Sequence, residues 1–239
     1  MSLPRRVEPE WLDQLPADDP RAIRARRDLK RVNAWMRNAR SMTSALMKHG
    51  ARQQPRMIVD LGSGDGQFML RVARRLAPYW PNVTIILQDR QNIVSRATRQ
   101  GFTALQWHVQ TSSADVFDFL AGRRSSSADV ITSNLFLHQF ADEELARLFT
   151  KAAQLAPLVV ACEPRRVKFV VRASRLLWMI GCNDVSVHDA KVSARAGFRD
   201  REISALWPSQ GQWELHEYAT GLFTHCFVAQ RAAYKADVA

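Results

Sequence analysis

Cysteine is scarce in this chain: three in 239 residues, at positions 162, 182 and 226, too far apart for a disulfide framework or a thiolate metal site. That excludes a disulfide-stapled scaffold and fits a reducing compartment. Long apolar runs are missing too. No stretch approaches the roughly 18 uninterrupted apolar residues a membrane span needs. Met1-Ser2-Leu3-Pro4-Arg5-Arg6 lacks the apolar core of a signal peptide. The expected location is the cytoplasm, with contact to the inner face of a membrane left open. Acidic residues are in the minority, 23 against 34 Lys and Arg, for a net charge of +11. Such a surplus attracts polyanions, although an arginine-rich surface that serves only solubility reads the same way. Glycine is sparse, ten in all, yet three of the ten fall within five residues.

Those three organise the chain. Met57-Ile58-Val59-Asp60-Leu61 is a short buried-strand pattern that runs into Gly62-Ser63-Gly64-Asp65-Gly66, and a helical pattern follows at Gln67. A glycine turn between a strand and a helix lets backbone N–H groups approach a nucleotide without an intervening Cβ. No Gly-Lys-Ser/Thr follows, which excludes a Walker loop, and the spacing G-x-G-x-G departs from the dinucleotide fingerprint G-x-G-x-x-G. Asp60 would repel a pyrophosphate; it suits a ligand whose nearby end carries an ammonium.

Around this turn the pattern alternates. Strand-like runs at 83–87, 104–109, 129–133 and 158–162 are separated by helical patterns, which predicts a doubly wound, mostly parallel sheet. Two further runs, 213–219 and 223–230, flank Thr220-Gly221-Leu222 at hairpin spacing and predict an antiparallel C-terminal pair. Hydrophobic content of 46%, with seven tryptophans, can fill such a core. Residues 1–20 are punctuated by four prolines, with Glu10-Trp11-Leu12 as a short apolar contact. From Arg21 a basic helix is predicted, with Ile23, Leu29, Val32, Trp35 and Met36 as its apolar stripe, and a second helix at about 41–48. Residues 1–52 are read as an N-terminal helical lid and 53–239 as the nucleotide-binding domain.

In these features the chain resembles the class I S-adenosylmethionine (SAM)-dependent methyltransferases, on the small-molecule branch with quinone C-methylases and natural-product O-methylases. The resemblance covers about residues 55–230. It rests on Val59-Asp60-Leu61-Gly62-Ser63-Gly64-Asp65-Gly66, Asp89, Ala114-Asp115-Val116 in an expected loop, and Asn134-Leu135-Phe136-Leu137-His138. It implies a Rossmann-like sheet of seven strands and SAM as methyl donor, with S-adenosylhomocysteine as product. Asp60, Gly62, Ser63 and Gly64 would then hold the methionine end, and Asp89, beside Arg90, the ribose hydroxyls. Asp115 and Val116 would hold the adenine, and Asn134 would lie near the transferring methyl.

The acceptor is less defined. For a hydroxyl acceptor a base is needed, and histidine titrates in the right range. His138 follows the fourth strand, and His188-Asp189 lies in the connection after the fifth, so His138, His188 and Asp189 are the candidate catalytic residues. Each histidine could instead serve packing or capping. Glu163 is an outlying candidate that could pair with Arg165 and Arg166. Asn134 lacks the Asn-Pro-Pro-Tyr context of amino-methylases. Cys162-Glu163-Pro164 does not match a cytosine C5 site, and the acids at strand ends are too few for a metal, so metal-independent chemistry is expected.

Residues 167–182 read as a basic amphipathic helix. Lys168, Arg172 and Arg175 lie on one side; Phe169, Val170, Leu176, Leu177, Met179 and Ile180 form an apolar surface. Such a helix would cover the acceptor pocket and contact a membrane surface or a lipidic acceptor; a core-facing helix is the plainer reading. With Phe136, Phe140, Trp178 and Trp207 nearby, the expected acceptor is a hydrophobic phenol, polyketide or quinone, methylated at oxygen. C-methylation of a quinone precursor, and an RNA- or protein-directed enzyme using the basic N-terminal helix, are the alternatives. The expected assembly is a monomer or homodimer.

Overall fold

The computed structural model describes residues 3–16, 18–50 and 54–232. A short helix α1 (Trp11–Gln14) precedes α2 (Pro20–Met36) and α3 (Asn38–Gly50). Alternation then begins: β1 (Met57–Leu61), α4 (Gln67–Leu76), β2 (Thr84–Asp89), α5 (Arg96–Thr103), β3 (His108–Ser113) and α6 (Val116–Ala121). It continues with β4 (Val130–Asn134), α7 (Asp142–Leu155), β5 (Leu158–Pro164), α8 (Lys168–Ser174), α9 (Asp184–Ala196) and α10 (Glu202–Ala205). The hairpin β6 (Trp213–Thr220) and β7 (Thr224–Arg231) closes the chain.

The seven strands form one sheet in the order β3-β2-β1-β4-β5-β7-β6. The first five are parallel, and β7 inserts antiparallel between β5 and β6. β5 is buried along its whole length because both sheet faces are covered, which is why its sequence runs apolar without alternation. One face packs Leu145, Leu148 and Phe149 of α7 against Val59, Ile131, Val159 and Phe227. The other packs Met42 and Leu46 of α3 and Met69, Val72 and Leu76 of α4 against Ile58, Ile85, Val160 and Val228. Truncating Phe149 to Ala would leave a cavity in the first of these layers and cost roughly 3–5 kcal/mol. The chain reverses its direction of growth between β1 and β4, so their C-terminal ends frame the crevice where open α/β sheets bind ligands.

Four expectations shift. The third strand lies at 108–113 rather than 104–109. Gln106 takes a left-handed turn (φ 59°), and Trp107 is anchored through its Nε1 to the Trp80 carbonyl at 2.9 Å, which delays the strand. The loop expected around Asp115 is a helix start: Asp115 Oδ1 accepts from the Phe117 N–H at 2.8 Å.

Residues 167–182 do not form one helix. Ser174 Oγ donates back to the Val171 carbonyl at 2.9 Å, and α8 passes there into a 3₁₀ segment, Arg175–Ile180, that ends at Gly181 (φ 80°). The stripe of α2 also differs. Its buried face is Ala22, Ala25 and Asp28, while Ile23 and Leu29 are exposed. Asp28 accepts from the Asn183 N–H (2.9 Å) and Ser186 Oγ (3.0 Å), so α2 is fastened to the start of α9 by a buried carboxylate rather than by large apolar residues. Of that stripe and of the basic helix, the side chains of Trp35, Arg175 and Leu176 lie outside the described ones.

Candidate active site

At the C-terminal end of β1 the chain turns through Gly62 (φ 68°), Gly64 (φ 56°) and Gly66 (φ 73°), angles that glycine adopts without strain. A Cβ on Gly62 would meet the Phe136 ring at 2.3 Å, whereas nothing stands within 4 Å of a Cβ position on Gly64, which faces open space. Asp89, closing β2, holds the turn from the side. Its Oδ2 accepts from the Gly64 N–H and its Oδ1 from the Gln91 N–H, both at 2.9 Å. Its remaining lone pairs are available to a ligand.

The turn borders a cavity of about 510 Å³, of the size usual for cofactor sites. Asp60, Gly62, Ser63, Gly64, Asp89, Arg90, Asp115, Val116 and Asn134 all line it. So do Gln88 and Phe136. Two buried polar atoms on this wall lack a partner: Ser63 Oγ and Gln88 Oε1. Gln88 is held by its other end, donating from Nε2 to the Ala114 carbonyl at 2.8 Å. Buried polar atoms are costly to leave unpaired, so a cavity that retains two is shaped for a polar ligand. Asp60 is buried at the bottom and accepts from Thr132 Oγ1 at 2.7 Å. Burial pushes its carboxyl up to about 7, with the nearby Asp89 adding to the rise against the Thr132 hydrogen bond. An ammonium placed against Asp60 would stabilise its ionised form. The residues present therefore fit SAM: orphaned acceptors and a carboxylate where cationic and hydroxyl groups would lie.

A second, smaller cavity of about 140 Å³ adjoins the first, and the two share Glu10, Leu12, Leu29 and Leu135 in their walls. That volume is close to the roughly 150 Å³ that accommodates a benzene ring. Its lining is largely apolar, with Val32, Met36, Val170, Leu177 and Phe223 among the contributors. The large residues of α2 that are not packed against α9 thus face the cavity.

His138 lies in the wall of this second cavity. It follows Leu135, a non-glycine residue in the left-handed region (φ 53°), and sits in the 3₁₀ turn Leu137–Gln139. Glu163, at the end of β5, accepts from the backbone N–H groups of Phe136 (3.1 Å), Leu137 (2.9 Å) and His138 (3.3 Å). It also accepts from His138 Nδ1 at 2.8 Å. A carboxylate so placed fixes the ring with Nδ1 as its donor. The remaining nitrogen, Nε2, faces Glu10 Oε1 at 3.1 Å. Burial alone would lower the basicity of His138, but the hydrogen bonds to Glu10 and Glu163 outweigh it and push the imidazole up to about 9.

Glu10 belongs to an N-terminal strap that lies across the site. The Trp11 and Leu12 N–H groups donate to the two oxygens of Asp189 at 2.9 and 3.0 Å. Trp11 stacks on His188 with ring centroids 3.8 Å apart. Ser193 Oγ also donates to Glu10, and Arg5 donates to the carbonyls of Ala196 (2.9 Å) and Phe140 (2.8 Å). Asp189 lines the second cavity, but its oxygens are taken by the strap and by His188 Nδ1 at 3.0 Å, and His188 lies outside the cavity lining, under Trp11. Of the three catalytic candidates, the structure brings His138 and Asp189 to the cavity and gives His188 to the strap.

Three-dimensional comparison bears on this architecture. An O-methyltransferase family protein from Burkholderia thailandensis superposes with a TM-score of 0.57 at 21% identity over 90% of this chain. The plantazolicin methyltransferase BpumL, solved in complex with SAH, gives 0.60 at 14% identity over 92%. The mitomycin 7-O-methyltransferase MmcR gives 0.60 at 18% over 92%. The fold is that of the methyltransferases. The chain spans 61% of the Burkholderia protein's length and 60% of that of MmcR, but 94% of that of BpumL. No family model matches the sequence, and no curated relative does either.

Within that methyltransferase fold some expectations need correction. Glu163 does not pair with Arg165 or Arg166. It serves His138, while Arg166 goes to Glu202 and the Gly197 carbonyl. Trp207 is core, packed on Phe149, Trp213 and Phe227, and Trp178 is exposed, so neither lines the second cavity. Phe136 and Phe140 line the cofactor cavity instead. Neither Glu10 nor Gln88 was read as a site residue in the sequence. A glutamine in an apolar strand is a readable signal, whereas a lone glutamate in a proline-rich segment offers none.

Proposed function

We propose that the chain is a SAM-dependent, metal-independent methyltransferase that methylates a hydroxyl oxygen on a hydrophobic, ring-sized small molecule. The observation that carries this reading is His138. It is a histidine in the wall of an apolar cavity that abuts a cofactor-sized one, with Nδ1 held by Glu163 and Nε2 on Glu10, a strap residue that lines both cavities. The same constellation, a base held in one tautomer beside the reacting group, recurs wherever a hydroxyl must lose its proton. That BpumL was solved with SAH and that MmcR is a 7-O-methyltransferase supports the donor and the oxygen acceptor as a class.

SAM, when bound, supplies a methyl on a cationic sulfur that an oxygen nucleophile displaces in line. The chain's own residues do the rest. Asp60, Ser63, Gln88 and Asp89 bind and orient the donor. Leu29, Val32, Met36, Val170 and Leu177 hold the acceptor and exclude water. An acceptor hydroxyl that takes the place of Glu10 at Nε2 passes its proton to His138 as the oxygen attacks, while Glu163 stabilises the resulting imidazolium. Strap and α2 act together as the lid. Asp189, tied to Trp11 and Leu12, is a positioning residue for that lid, and His188 supports it by stacking.

A second reading, methylation of RNA, draws on a groove where Arg37, Arg40, Arg71, Arg74 and Arg75 surround Phe68. It is the weaker reading, because the groove meets the cofactor cavity only through Phe68 and Arg71 and does not reach His138. The deciding experiment is transfer of labelled methyl from SAM into a cell extract that is then separated into lipid, small-molecule and RNA fractions. Label in the organic-soluble fraction, undiminished after dialysis against a chelator, supports the proposal. Label confined to RNA overturns it.

A further inference from the structure

The segment that roofs the acceptor cavity has two unlike sides. Val170, Ala173, Ser174 and Leu177 face inward and line the cavity. Phe169, Trp178, Met179 and Ile180 face outward and are each more than half exposed, as is Leu222 in the β6–β7 turn. The two outward groups are linked through Phe169, whose ring packs against Phe223 with centroids 5.9 Å apart; Phe223 is itself part of the cavity wall. Five large apolar side chains left in water around one ligand cavity are not the scattered exposure ordinary to a surface.

Charge says what covers them. Lys168 and Arg172 are exposed on the same segment, and Arg24 of α2 reaches its end, donating to the Gly181 carbonyl at 3.2 Å. Among the described residues none of these three cations has a carboxylate within ion-pair distance. A second copy of this chain docking through the same patch would set Lys168, Arg172 and Arg24 against their own symmetry mates in an isologous contact. An anionic surface meets no such repulsion. Tryptophan, methionine and isoleucine beside lysine and arginine is the composition that settles at the boundary of headgroups and acyl chains.

We propose that the outward face of α8 and the following 3₁₀ segment, with Leu222, docks on an anionic phospholipid bilayer and opens the acceptor cavity toward it. The docking stands on exposure and charge alone. Its use as the acceptor's route rests on the methyltransferase reading, which supplies a hydrophobic acceptor to be admitted.

The test uses the full chain and vesicles of phosphatidylcholine with or without a quarter of phosphatidylglycerol. Wild-type protein is expected to co-sediment with the anionic vesicles, less so as salt is raised, and to bind neutral vesicles weakly. K168S/R172S should weaken binding by roughly 5-fold per cation removed. W178S/M179S/I180S should weaken it by more than about 10-fold, since each removes an apolar side chain of the kind that drives interfacial insertion. Quenching by brominated lipid should be present in wild type and largely lost in W178F. Because these residues are exposed, all variants should bind SAM as wild type does in calorimetry, which separates a failure of docking from a failure of the cofactor reading. The proposal is overturned if wild type ignores anionic vesicles or if the variants bind them undiminished. It is equally overturned if sedimentation velocity shows a dimer that W178S/M179S/I180S dissociates.

Discussion

The two cavities share Glu10, Leu12, Leu29 and Leu135 in their walls, yet their polar groups are anchored in different ways. The polar groups of the cofactor half stand at neighbouring strand ends of one sheet and are held by the sheet's own backbone and one hydroxyl, although strap and α2 residues also line it. Gly64 N–H anchors Asp89, the Ala114 carbonyl anchors Gln88, and Thr132 anchors Asp60. The acceptor half is drawn from the strap, α2, the turn after β4, α8, α9 and the β6–β7 hairpin. What joins those pieces is a handful of contacts between separate segments, namely Glu10 with His138, Trp11 and Leu12 with Asp189, and Asn183 with Asp28. A site made of strand ends exists before its ligand arrives. A site closed by a strap is completed only when the strap docks, and the strap's Glu10 holds the nitrogen the reaction needs. Changes in the first half should therefore act on donor affinity, and changes in the second on turnover and its pH dependence.

The largest expected effect tests whether the halves separate at all. His138→Gln should lower methyl transfer by about 10²–10⁴-fold while SAM affinity in calorimetry stays unchanged. If donor binding falls with it, the two cavities are one energetic unit and the division fails. Asp89→Ala is the reciprocal change. It frees the Gly64 and Gln91 N–H groups and removes a carboxylate from the donor cavity. Losing charge-assisted hydrogen bonds of this kind should weaken SAM by about 100-fold, at about 1.5–3 kcal/mol each, and leave the acceptor's KM in place. An unaltered SAM affinity would remove the cofactor assignment.

The same division explains what could be read in advance. The residues of the cofactor cavity sit where strands end, and the family resemblance named Asp89, Asp115 and Asn134 there beside Asp60 of the glycine turn, even though the third strand was displaced by the turn at Gln106. Periodicity also carried the parallel core and the C-terminal hairpin. It failed for α2, where a buried Asp28 and two alanines replace an apolar stripe, and for residues 167–182, where one serine hydroxyl divides a helix. Glu10 was illegible because its role depends on Glu163 and His138, more than a hundred residues away, orienting one nitrogen toward it.

The strap gives a prediction with a defined sign. The imidazole of His138 is raised from its ordinary 6.5 to about 9, so the Glu10–His138 pair contributes stability fully below about pH 6.5 and loses it as pH rises through about 9. Strap cleavage by protease should accordingly rise over that interval in wild type. Turnover needs Nε2 unprotonated, so the rate should climb over the same interval. Glu10→Gln removes one of the two carboxylates that raise the imidazole, and its pH–rate limb should move to lower pH by about one unit, roughly the 1.4 kcal/mol of one charge-assisted contact. An unmoved limb would show that Glu163 alone sets the basicity and that the strap only covers the site.

Asp60 provides the smallest effect and the finest contrast, because its shift belongs to the cofactor half and acts on donor affinity rather than on turnover. Burial raises this carboxyl from 3.8 to about 7. The folded protein therefore holds its proton longer than the unfolded chain does, and the ligand-free protein loses stability as pH rises from about 4 through about 7. An ammonium can pair only with the ionised form. Below pH 7 SAM must first displace the proton, and its affinity should weaken by up to about tenfold per pH unit. Asp60→Asn keeps an oxygen for the Thr132 hydroxyl and removes the titration. Its SAM affinity should be flat between pH 5.5 and 8 and, at pH 8, lower than wild type by about tenfold, one charge-assisted hydrogen bond. Its ligand-free melting temperature at pH 8 should exceed that of wild type, since no charge is left buried. If wild type and variant follow the same pH dependence for SAM, Asp60 does not face the ammonium, and the methionine end of the donor lies elsewhere along the glycine turn.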